Sequence, residues 1–487
     1  MKIKYKNSFF YIILIISSFI QPAKQSSDIF FLYKQGDFIL NNGFPYSEVF
    51  SMHADLDFVM SNWLSSVVCK IIIDTVGFKG YIIHYSLIIL LSSLFVYKIL
   101  ILLNNNKDTC IYLSVLHNII IVVFFQTRPY VYSYLLNVIV IYIVLYHIKN
   151  KSTLILLYLP LIALLQSNLH SSMLLFLIIF MLPFVCDITK KYSRKVILLA
   201  ICLMCLVSFI NPYGLDAVTY LFNSLDSAIK LNNQEMNSIL SNNNYIVFYI
   251  FINIFCITSI VKNKVFDLSC IFLYVGVNIL CLYAYRNLIY LPLSFVFILG
   301  LSNKEYFIFK YKTFIILVLG FLASDKTFGS ILNLLIFSII FVAYKKREIA
   351  LTFVYSTIVI LLFLCAISFS LSNFSGGDIL RELPRGSKIY TSSTEAGTLS
   401  LYYDLKPYWD NRSEVYIDNI NNKNNYYKDI YEVQNGIIQP EDFLSKYHFD
   451  YLFFDKEDAL YYYIVDNNNY YLYNQDSWGY LYKSRDN

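Results

Sequence analysis

The chain has 487 residues, of which 57% are hydrophobic and 15% are charged, and its formal net charge at pH 7 is +5. With a mean hydropathy of +0.54, it carries more apolar side chain than the core of a soluble domain can bury. The composition therefore excludes an ordinary soluble globular protein and predicts a polytopic α-helical membrane protein. The basic residues lie in scattered short loops, so the net charge indicates no nucleic-acid partner.

The first apolar run, residues 8–20, follows three lysines and resembles a signal peptide. Because Gln21-Pro22-Ala23 is a poor cleavage site, we predict an uncleaved first span whose N-terminus lies in the cytoplasm. The later apolar runs bring the prediction to about 13 transmembrane helices, since each approaches the length needed to cross a bilayer core. These later runs are 78–103, 109–126, 129–148, 152–167, 170–186, 196–210, 244–261, 266–284, 288–302, 313–324, 329–344 and 349–372.

The distribution of Lys and Arg predicts the orientation of these spans. Basic side chains concentrate in every second loop, and such loops are retained on the cytoplasmic side. The pattern predicts a multi-pass protein of the cell membrane with its C-terminus outside. The basic residues of the loops predicted inside are Lys107, Lys149, Lys151, Lys190, Lys191, Arg194, Lys195, Lys262, Lys264, Lys304, Lys310, Lys312, Lys345, Lys346 and Arg347.

The composition changes abruptly after about residue 373. Residues 374–487 are polar, rich in Tyr and Asn, and free of long apolar runs. Short β-like runs at 388–391, 451–454 and 470–473 alternate with helix-like stretches near 423–435 and 440–447. We therefore predict a transmembrane domain over 1–373 and a small extracytoplasmic α/β domain over 374–487.

The first predicted outside loop, residues 24–66, is too long for a simple connector. Residues 27–40 form an amphipathic pattern that predicts an interfacial helix, with aromatic side chains such as Phe30 and Phe31 at the depth of the lipid headgroups. Asp28 lies just past the first span, where a carboxylate costs desolvation unless it has a partner or a function. Two interpretations of Asp28 stay open: a cap of this helix, or a catalytic group.

Further polar motifs fall on the same predicted face of the membrane, which an enzyme working at the outer leaflet requires. Each has a structural alternative: Arg128 and Arg286 as headgroup contacts, His170 as an interfacial histidine, and 211–214 as a turn. The loop acids Glu48, Asp55 and Asp57 are interpreted as solvated. The motifs are Arg128-Pro129, Asn168-Leu169-His170, Asn211-Pro212-Tyr213-Gly214, Glu235 and Arg286-Asn287.

Several kinds of chemistry have no support in the sequence. The nine cysteines lie in or beside apolar segments, so they predict no disulfide framework, and Cys202 with Cys205 is interpreted as a packing pair within a span. The chain contains no GxxxxGK[ST], HExxH or GxSxG motif. We therefore predict neither nucleotide hydrolysis nor esterase chemistry, and no metal site.

The polar motifs together resemble a known family. Residues 28–40 read Asp-x-aromatic-aromatic-x-x-Lys-x-Gly-acid-aromatic-Ile-Leu, and Pro45, Phe50-Ser51 and Trp63-Leu64 follow. This pattern resembles a bacterial group of GT-C-like membrane glycosyltransferases, and the resemblance covers almost the whole chain. The further matches, in the group's order, are Arg128-Pro129, Ser133-Tyr134-Leu135, Asn168-Leu169-His170, Asn211-Pro212-Tyr213-Gly214, Arg286-Asn287 and a closing Asp-x-Arg signature within Asp410-Asn411-Arg412-Ser413-Glu414.

The resemblance implies an inverting glycosyltransferase that takes a sugar from a polyprenyl-phosphate carrier. The acceptor would be an envelope glycan, lipid or protein at the outer face. In that reaction Asp28 is the candidate general base. Arg128, His170 and Arg286 are the candidates for binding phosphate or sugar, and we group Glu235 with these substrate-binding residues.

The sequence also departs from the family's pattern. Relatives often carry an acid at the position of Ser26, a His at Leu32, a Glu at Asn62 and a Gly at Ser171. The loss of two acids and a His weakens the case for a divalent metal. Two other function classes stay open: an envelope polysaccharide polymerase or ligase, and a non-catalytic envelope protein or transporter.

The C-terminal domain has no recognisable nucleophile constellation. We assign it acceptor recognition or a lid over the membrane site, and we expect Asp410 and Arg412 to pair structurally within it. Its aromatic cluster has two interpretations, stacking on sugar rings or packing in the core, and packing is the safer one. That cluster comprises Tyr402, Tyr403, Tyr408 and Trp409.

Overall fold

A computed structural model describes two parts of the chain, a helical part within residues 26–301 and a C-terminal unit over 377–485. Glu235, the predicted spans at 313–324, 329–344 and 349–372, and nearly all of the first span lie outside the described residues. The boundary predicted near residue 373 lies outside them too, so the division into domains stays a prediction. The described residues are 15, 18, 26–53, 56–103, 107–122, 124–189, 194–230, 237–241, 245–263, 267–301, 377–421 and 423–485.

The helical part is a succession of apolar α-helices joined by short connections. Among the described residues, four 3-10 helices lie in these connections: Leu154–Leu157, Ser171–Met173, Ile239–Ser241 and Tyr285–Tyr290. The α-helices are α1 (Asp28–Asn42), α2 (Trp63–Leu103), α3 (Lys107–Val122), α4 (Tyr130–Asn150), α5 (Tyr158–Leu169), α6 (Leu174–Cys186), α7 (Arg194–Val207), α8 (Leu215–Lys230), α9 (Ile246–Asn263), α10 (Leu268–Tyr283) and α11 (Leu291–Leu301).

Helices α2 to α7 and α9 to α11 lie where the sequence predicts spans. Within the described residues, α2 and α4 are long and apolar enough to cross a membrane by length and composition, with mean hydropathies of 2.4 and 1.9. Several of the others are shorter apolar helices, so the number of about 13 spans stays a prediction. The helical backbone of α2 is interrupted at Gly77, which has a φ of +74°. Glycine adopts this positive φ at little energetic cost. Helix α8 was not predicted.

Helix α1 packs inside the protein rather than against headgroups. Ile29, Phe30 and Phe31 are buried, and Phe30 contacts rings of α2 and of the C-terminal unit. Gly36 allows this close packing, because a Cβ there would lie 2.2 Å from the carbonyl oxygen of Ser66 in α2. The helix was predicted correctly, but the lipid-facing position of its buried aromatic side chains was wrong.

The C-terminal unit is an α/β fold with a five-stranded sheet in the order β2-β1-β3-β5-β4. Strands β2, β1 and β3 are parallel, whereas β3, β5 and β4 pair antiparallel. The predicted β-like and helix-like runs coincide with β1, β3, β4, α15 and α16. The elements are α12 (Asp378–Arg381), β1 (Lys388–Thr391), α13 (Thr394–Tyr402), β2 (Lys406–Pro407), α14 (Asp418–Asn421), α15 (Tyr426–Gln434), α16 (Pro440–Lys446), β3 (Tyr451–Phe454), α17 (Ala459–Asp466), β4 (Tyr470–Gln475) and β5 (Tyr480–Ser484), with a 3-10 helix at Ser413–Tyr416.

The segment between α1 and α2 docks on the C-terminal unit. The Met52 amide donates to the Pro407 carbonyl oxygen at 3.1 Å. The His53 ring is buried among tyrosines of the unit, stacks on Tyr426 with centroids 3.9 Å apart, and contacts the carbonyl oxygen of Tyr408 at 2.8 Å. Because an aromatic ring buried in this way contributes a large apolar area, His53 anchors the segment to the unit.

Candidate functional site

A cavity of about 460 Å³ lies where the helical part meets the C-terminal unit. Four of the residues singled out from the sequence line it: Asp28, Arg128, His170 and Arg286. They come from separate segments of the helical part, and the segment 411–415 of the C-terminal unit completes the wall. The structure therefore brings these four side chains to one place, while their chemical roles stay predictions.

Asp28 is held by partners on both carboxylate oxygens. Arg128 Nε lies 2.9 Å from Oδ2, and the amide of Asn411 donates to Oδ1 at 2.7 Å. The N-terminus of α1 has no side-chain cap at Ser27, and Asp28 lies in the first turn. The carboxylate thus faces charged and polar partners at the cavity.

Arg128 is oriented by the segment that leads into α1. Its Nε donates to Ser26 Oγ at 3.0 Å, and the Ser26 amide donates to Thr127 Oγ1 at 2.9 Å. Ser26 occupies the position at which relatives often carry an acid. In this chain its hydroxyl takes part in fixing the guanidinium beside Asp28.

Three contacts fix the imidazole of His170. Gln166 Nε2 lies 2.7 Å from the His170 carbonyl oxygen and 2.9 Å from Ser133 Oγ, and Ser133 Oγ lies 3.0 Å from His170 Nδ1. A carbonyl oxygen only accepts, so the Gln166 amide must donate to it and to Ser133. The Ser133 hydroxyl then donates to Nδ1, because no other acceptor for it exists among the described residues. The ring proton therefore sits on Nε2, and His170 presents an N–H donor.

Arg286 lies in the 3-10 helix Tyr285–Tyr290, between α10 and α11. The backbone there is anchored on both sides: the Tyr285 amide donates to the Asn237 carbonyl oxygen at 2.8 Å, and the Asn287 side chain donates to the Leu280 carbonyl oxygen at 2.9 Å. These bonds hold the connection against the neighbouring segments. They place the Arg286 side chain in the cavity wall.

Aromatic side chains form another part of the wall. Phe124 contacts Tyr245 with centroids 5.7 Å apart, and Tyr245 stacks on Tyr285 at 6.3 Å. Tyr130 donates its hydroxyl to the Phe124 carbonyl oxygen at 2.7 Å, which fixes the start of α4. Aromatic faces of this kind suit the apolar faces of sugar rings.

A buried charge cluster holds the segment 410–415 in place. Arg412 pairs with Asp410 at 2.6 Å and with Glu48 of the helical part at 3.0 Å, and all three side chains are almost inaccessible. The guanidinium also lies 5.0 Å from the centre of the Phe50 ring. The predicted Asp410–Arg412 pair is present. The interpretation of Glu48 as a solvated acid was wrong, because its partner is distant in sequence.

Glu414 is a cavity residue to which the sequence analysis gave no role. Its Oε1 accepts a hydrogen bond from the Tyr220 hydroxyl at 2.9 Å, and both side chains line the cavity. Burial raises the pKa of the Glu414 carboxyl, and the bond from Tyr220 offsets part of that rise. The only sequence signal was its place two residues after the Asp-x-Arg signature. Tyr220 lies in α8, which was not predicted.

Other predicted motifs form hydrogen bonds that stabilise the connections between helices. Asn211 donates to the Ser167 carbonyl oxygen at 2.7 Å within a turn, and the Tyr213 hydroxyl donates to the Pro45 carbonyl oxygen at 2.9 Å. Asn168 accepts from the indole of Trp63 at 2.8 Å. These bonds fix the connections around the cavity, in keeping with the interpretation of 211–214 as a turn.

The aromatic cluster of the C-terminal unit is mostly core. Tyr408 and Trp409 are buried, and the Trp409 indole donates to the Thr391 carbonyl oxygen at 2.8 Å. Tyr402 packs on Phe30 and on the neighbouring Tyr403. Packing, the safer of the two interpretations, therefore describes this cluster.

No group of three His, Cys, Asp or Glu side chains among the described residues is placed to hold a metal ion. Asp28 has Arg128 and Asn411 as partners. Leu32 and Asn62, where relatives often carry His and Glu, provide no carboxylate or imidazole. We therefore derive no step through a metal.

Comparison with known proteins gives structural neighbours only: no family model matches the chain, and no curated protein matches it. The structure is similar to three structures of the Archaeoglobus fulgidus oligosaccharyltransferase AglB. The apo form is 13% identical, with a TM-score of 0.40 and coverage of 92% of this chain and 69% of that chain.

The other two structures carry bound molecules. The form tethered with an acceptor peptide is 14% identical, with a TM-score of 0.44 and coverage of 92% and 69%. The complex with an inhibitory peptide and a dolichol-phosphate is 11% identical, with a TM-score of 0.44 and coverage of 93% and 70%. At such TM-scores these neighbours carry no argument, so the proposed function rests on the cavity itself.

Proposed function

We propose that this protein is a membrane glycosyltransferase that moves a sugar from a polyprenyl-phosphate carrier to an acceptor at the outer face of the membrane. One observation carries the proposal: a single cavity holds the carboxylate of Asp28 together with Arg128, His170 and Arg286. Glycosyl transfer from a phosphate needs a proton acceptor for the nucleophile and cationic or N–H donors for the leaving phosphate. The cavity supplies both.

Asp28 acts as the general base in this proposal. The acceptor hydroxyl gives its proton to the carboxylate as its oxygen forms a bond to the anomeric carbon of the sugar. The bond from that carbon to the phosphate oxygen breaks, and polyprenyl phosphate leaves with the electron pair. Attack from the side opposite the leaving group inverts the configuration. Asn411 and Arg128 hold the carboxylate in position for this transfer.

Arg286 and His170 bind the phosphate of the carrier. The Arg286 guanidinium offers several N–H donors, and the protonated Nε2 of His170 offers one more. The aromatic wall formed by Phe124, Tyr245 and Tyr285 supports the sugar ring. These contacts stabilise the negative charge that grows on the leaving phosphate, which lowers the barrier to transfer.

The test measures donor binding and turnover separately, with purified protein and a panel of polyprenyl-phosphate hexoses. Asp28→Asn should lower turnover by a factor on the order of 10² to 10⁴ while donor binding survives. Arg286→Ala should instead weaken donor binding, because a contact to phosphate is lost. Asp37→Asn is the matched control: it changes an acid of the same helix that pairs with Lys70, and activity should persist.

Each negative result in these measurements refutes a different part of the proposal. Full turnover by Asp28→Asn would refute the base assignment and leave the transferase in place. Wild-type protein that binds none of the polyprenyl-phosphate hexoses would refute the proposed donor. Binding of a polyprenyl-diphosphate glycan in its place would favour the polymerase or ligase, and binding of neither would favour a non-catalytic envelope protein or transporter.

A further inference from the structure

The cavity contains two acids in different surroundings. Among the described residues that line it, Asp28 and Glu414 are the carboxylates. Asp28 forms an ion pair with Arg128 at 2.9 Å, whereas Glu414 forms no salt bridge within the described part of the chain. A carboxylate without a cation keeps more of its hydrogen-bonding capacity for a ligand. Glu414 is therefore the acid that is available to accept a hydrogen bond from a second substrate.

The structure holds Glu414 in one orientation. Its neighbour Arg412 is clamped by Asp410 and Glu48, and the Val415 amide donates to the Arg412 carbonyl oxygen at 2.9 Å. The Tyr220 hydroxyl donates to Oε1, the carboxylate also accepts from its own backbone amide, and no described side chain donates to Oε2. A half-buried carboxylate held in this way is preorganised to accept a further hydrogen bond from a ligand.

The charge of Glu414 limits what it can bind. A phosphate of the donor is repelled by a carboxylate and attracted to Arg286, which belongs to the helical part. Glu414 belongs to the C-terminal unit, on the other wall of the same cavity. A ligand on that wall must offer hydrogen-bond donors and carry no negative charge. A neutral polyhydroxyl compound fits these conditions, and an anionic one does not.

We propose that Glu414, oriented by Tyr220, binds a hydroxyl group of a neutral glycan acceptor, so that the C-terminal unit selects the acceptor. This inference rests on the proposed glycosyl transfer and names the acceptor class for the same cavity. The interaction is a hydrogen bond from the acceptor to the carboxylate, and no covalent bond to Glu414 forms. Glu414 thus determines specificity, while Asp28 takes the proton.

The experiment compares methyl hexosides with the matching 6-phosphates as acceptor probes, using the full-length protein and a polyprenyl-phosphate hexose as donor. Wild-type protein should transfer to neutral probes and reject the phosphates. Glu414→Gln should raise the KM for the neutral probes about 10-fold to 100-fold, the range expected for a lost bond to a charged group, with unchanged donor affinity. Tyr220→Phe should raise the same KM by a smaller factor.

Glu414→Lys should reverse the preference, so that the 6-phosphates become the better probes. Glu382→Gln, an exposed acid of the same unit, is the matched control and should leave every value unchanged. Equal KM values for Glu414→Gln and wild type would overturn the acceptor assignment. Donor binding without transfer to any neutral probe would also overturn it while leaving the donor half of the proposed function intact. Loss of donor binding in the wild type would instead refute the proposed function itself.

Discussion

His170 shows how a few hydrogen bonds assign a role to a single side chain. The amide of Gln166 has to donate to a carbonyl oxygen, and this fixes the direction of every bond that follows through Ser133 to Nδ1. The ring is therefore a neutral donor at Nε2. Such a donor binds a phosphate oxygen without carrying a charge.

Ser133 is accordingly a positioning residue, and removing its hydroxyl should change donor binding through the tautomer of His170. We expect Ser133→Ala to weaken binding of polyprenyl phosphate roughly tenfold, because the Nε2–H tautomer loses the partner that selects it. Ser133→Thr keeps the hydroxyl and should restore most of the affinity. The ¹⁵N chemical shifts of labelled His170 report the tautomer directly.

The control for this prediction is Ser92→Ala, because the Ser92 hydroxyl donates to the Ile88 carbonyl oxygen within α2. It should leave both the affinity and the imidazole spectrum unchanged. An unchanged tautomer in Ser133→Ala would contradict the relay, even if the variant bound polyprenyl phosphate more weakly.

At the scale of elements, the segment between α1 and α2 joins the helical part to the C-terminal unit. Arg412 holds this joint through Glu48 and Asp410, all three of them buried. Removing the cation leaves two buried carboxylates without a counter-charge, which costs far more than the intact cluster contributes. The joint therefore depends on all three members being present.

We expect Arg412→Met to destabilise the docked segment by about 3 to 5 kcal/mol. Thermal unfolding in detergent and protease sensitivity of the segment are the measurements. The combined variant with Glu48→Gln and Asp410→Asn removes the unpaired charges and should recover much of the loss. Arg385→Met serves as the control, since Arg385 is 86% exposed and lies 3.7 Å from Asp404. Equal stability of the Arg412 and Arg385 variants would contradict the clamp.

His53 makes the same joint sensitive to acid. Burial lowers the pKa of its imidazole from 6.5 to about 4, so the docked segment excludes a proton that the undocked segment binds. Docking is therefore fully stabilised above about pH 6.5 and weakens as the pH falls toward about 4. The protection factors of the backbone amides at 50–53, in which the exchange rate is corrected for its intrinsic pH dependence, should fall over that interval.

His53→Phe keeps an aromatic ring in the tyrosine cluster but cannot titrate. In this variant we expect the acid-dependent loss of protection near 50–53 to disappear, while protection at neutral pH falls because the bond to the Tyr408 carbonyl oxygen is lost. An acid response of the same size in the variant would assign the effect to other groups.

For the whole molecule, the distribution of Lys and Arg predicts which loops face the cytoplasm. The N-terminus and the loops 187–195 and 345–348 should be inside, with 24–62, 211–243 and 376–487 outside. In a cysteine-free background, Lys456→Cys should react with an impermeant reagent added to intact cells, and Lys195→Cys only after permeabilisation. Protection of position 456 in intact cells would overturn the predicted topology.

The sequence by itself determined most of the helices and three of the five strands. Apolar runs predicted helices from 78–103 to 288–302, and short β-like runs predicted β1, β3 and β4, because such patterns depend on residues near one another in the chain. Polar residues at the ends of apolar runs pointed to Asp28, Arg128, His170 and Arg286. A polar or charged side chain at a membrane boundary costs desolvation free energy, so its presence there indicates a partner or a function.

Only the tertiary structure decided which of these elements and residues meet. Glu48 and Arg412 are 364 positions apart in the sequence, and Tyr220 and Glu414 are 194 positions apart, so no local sequence pattern predicts either pair. For the same reason the buried face of α1 was wrongly assigned to lipid. A helix that packs against lipid and a helix that packs against another helix have the same apolar stripe in their sequences. The cavity is formed by the docking of the C-terminal unit, and its chemistry depends on which charges that docking buries.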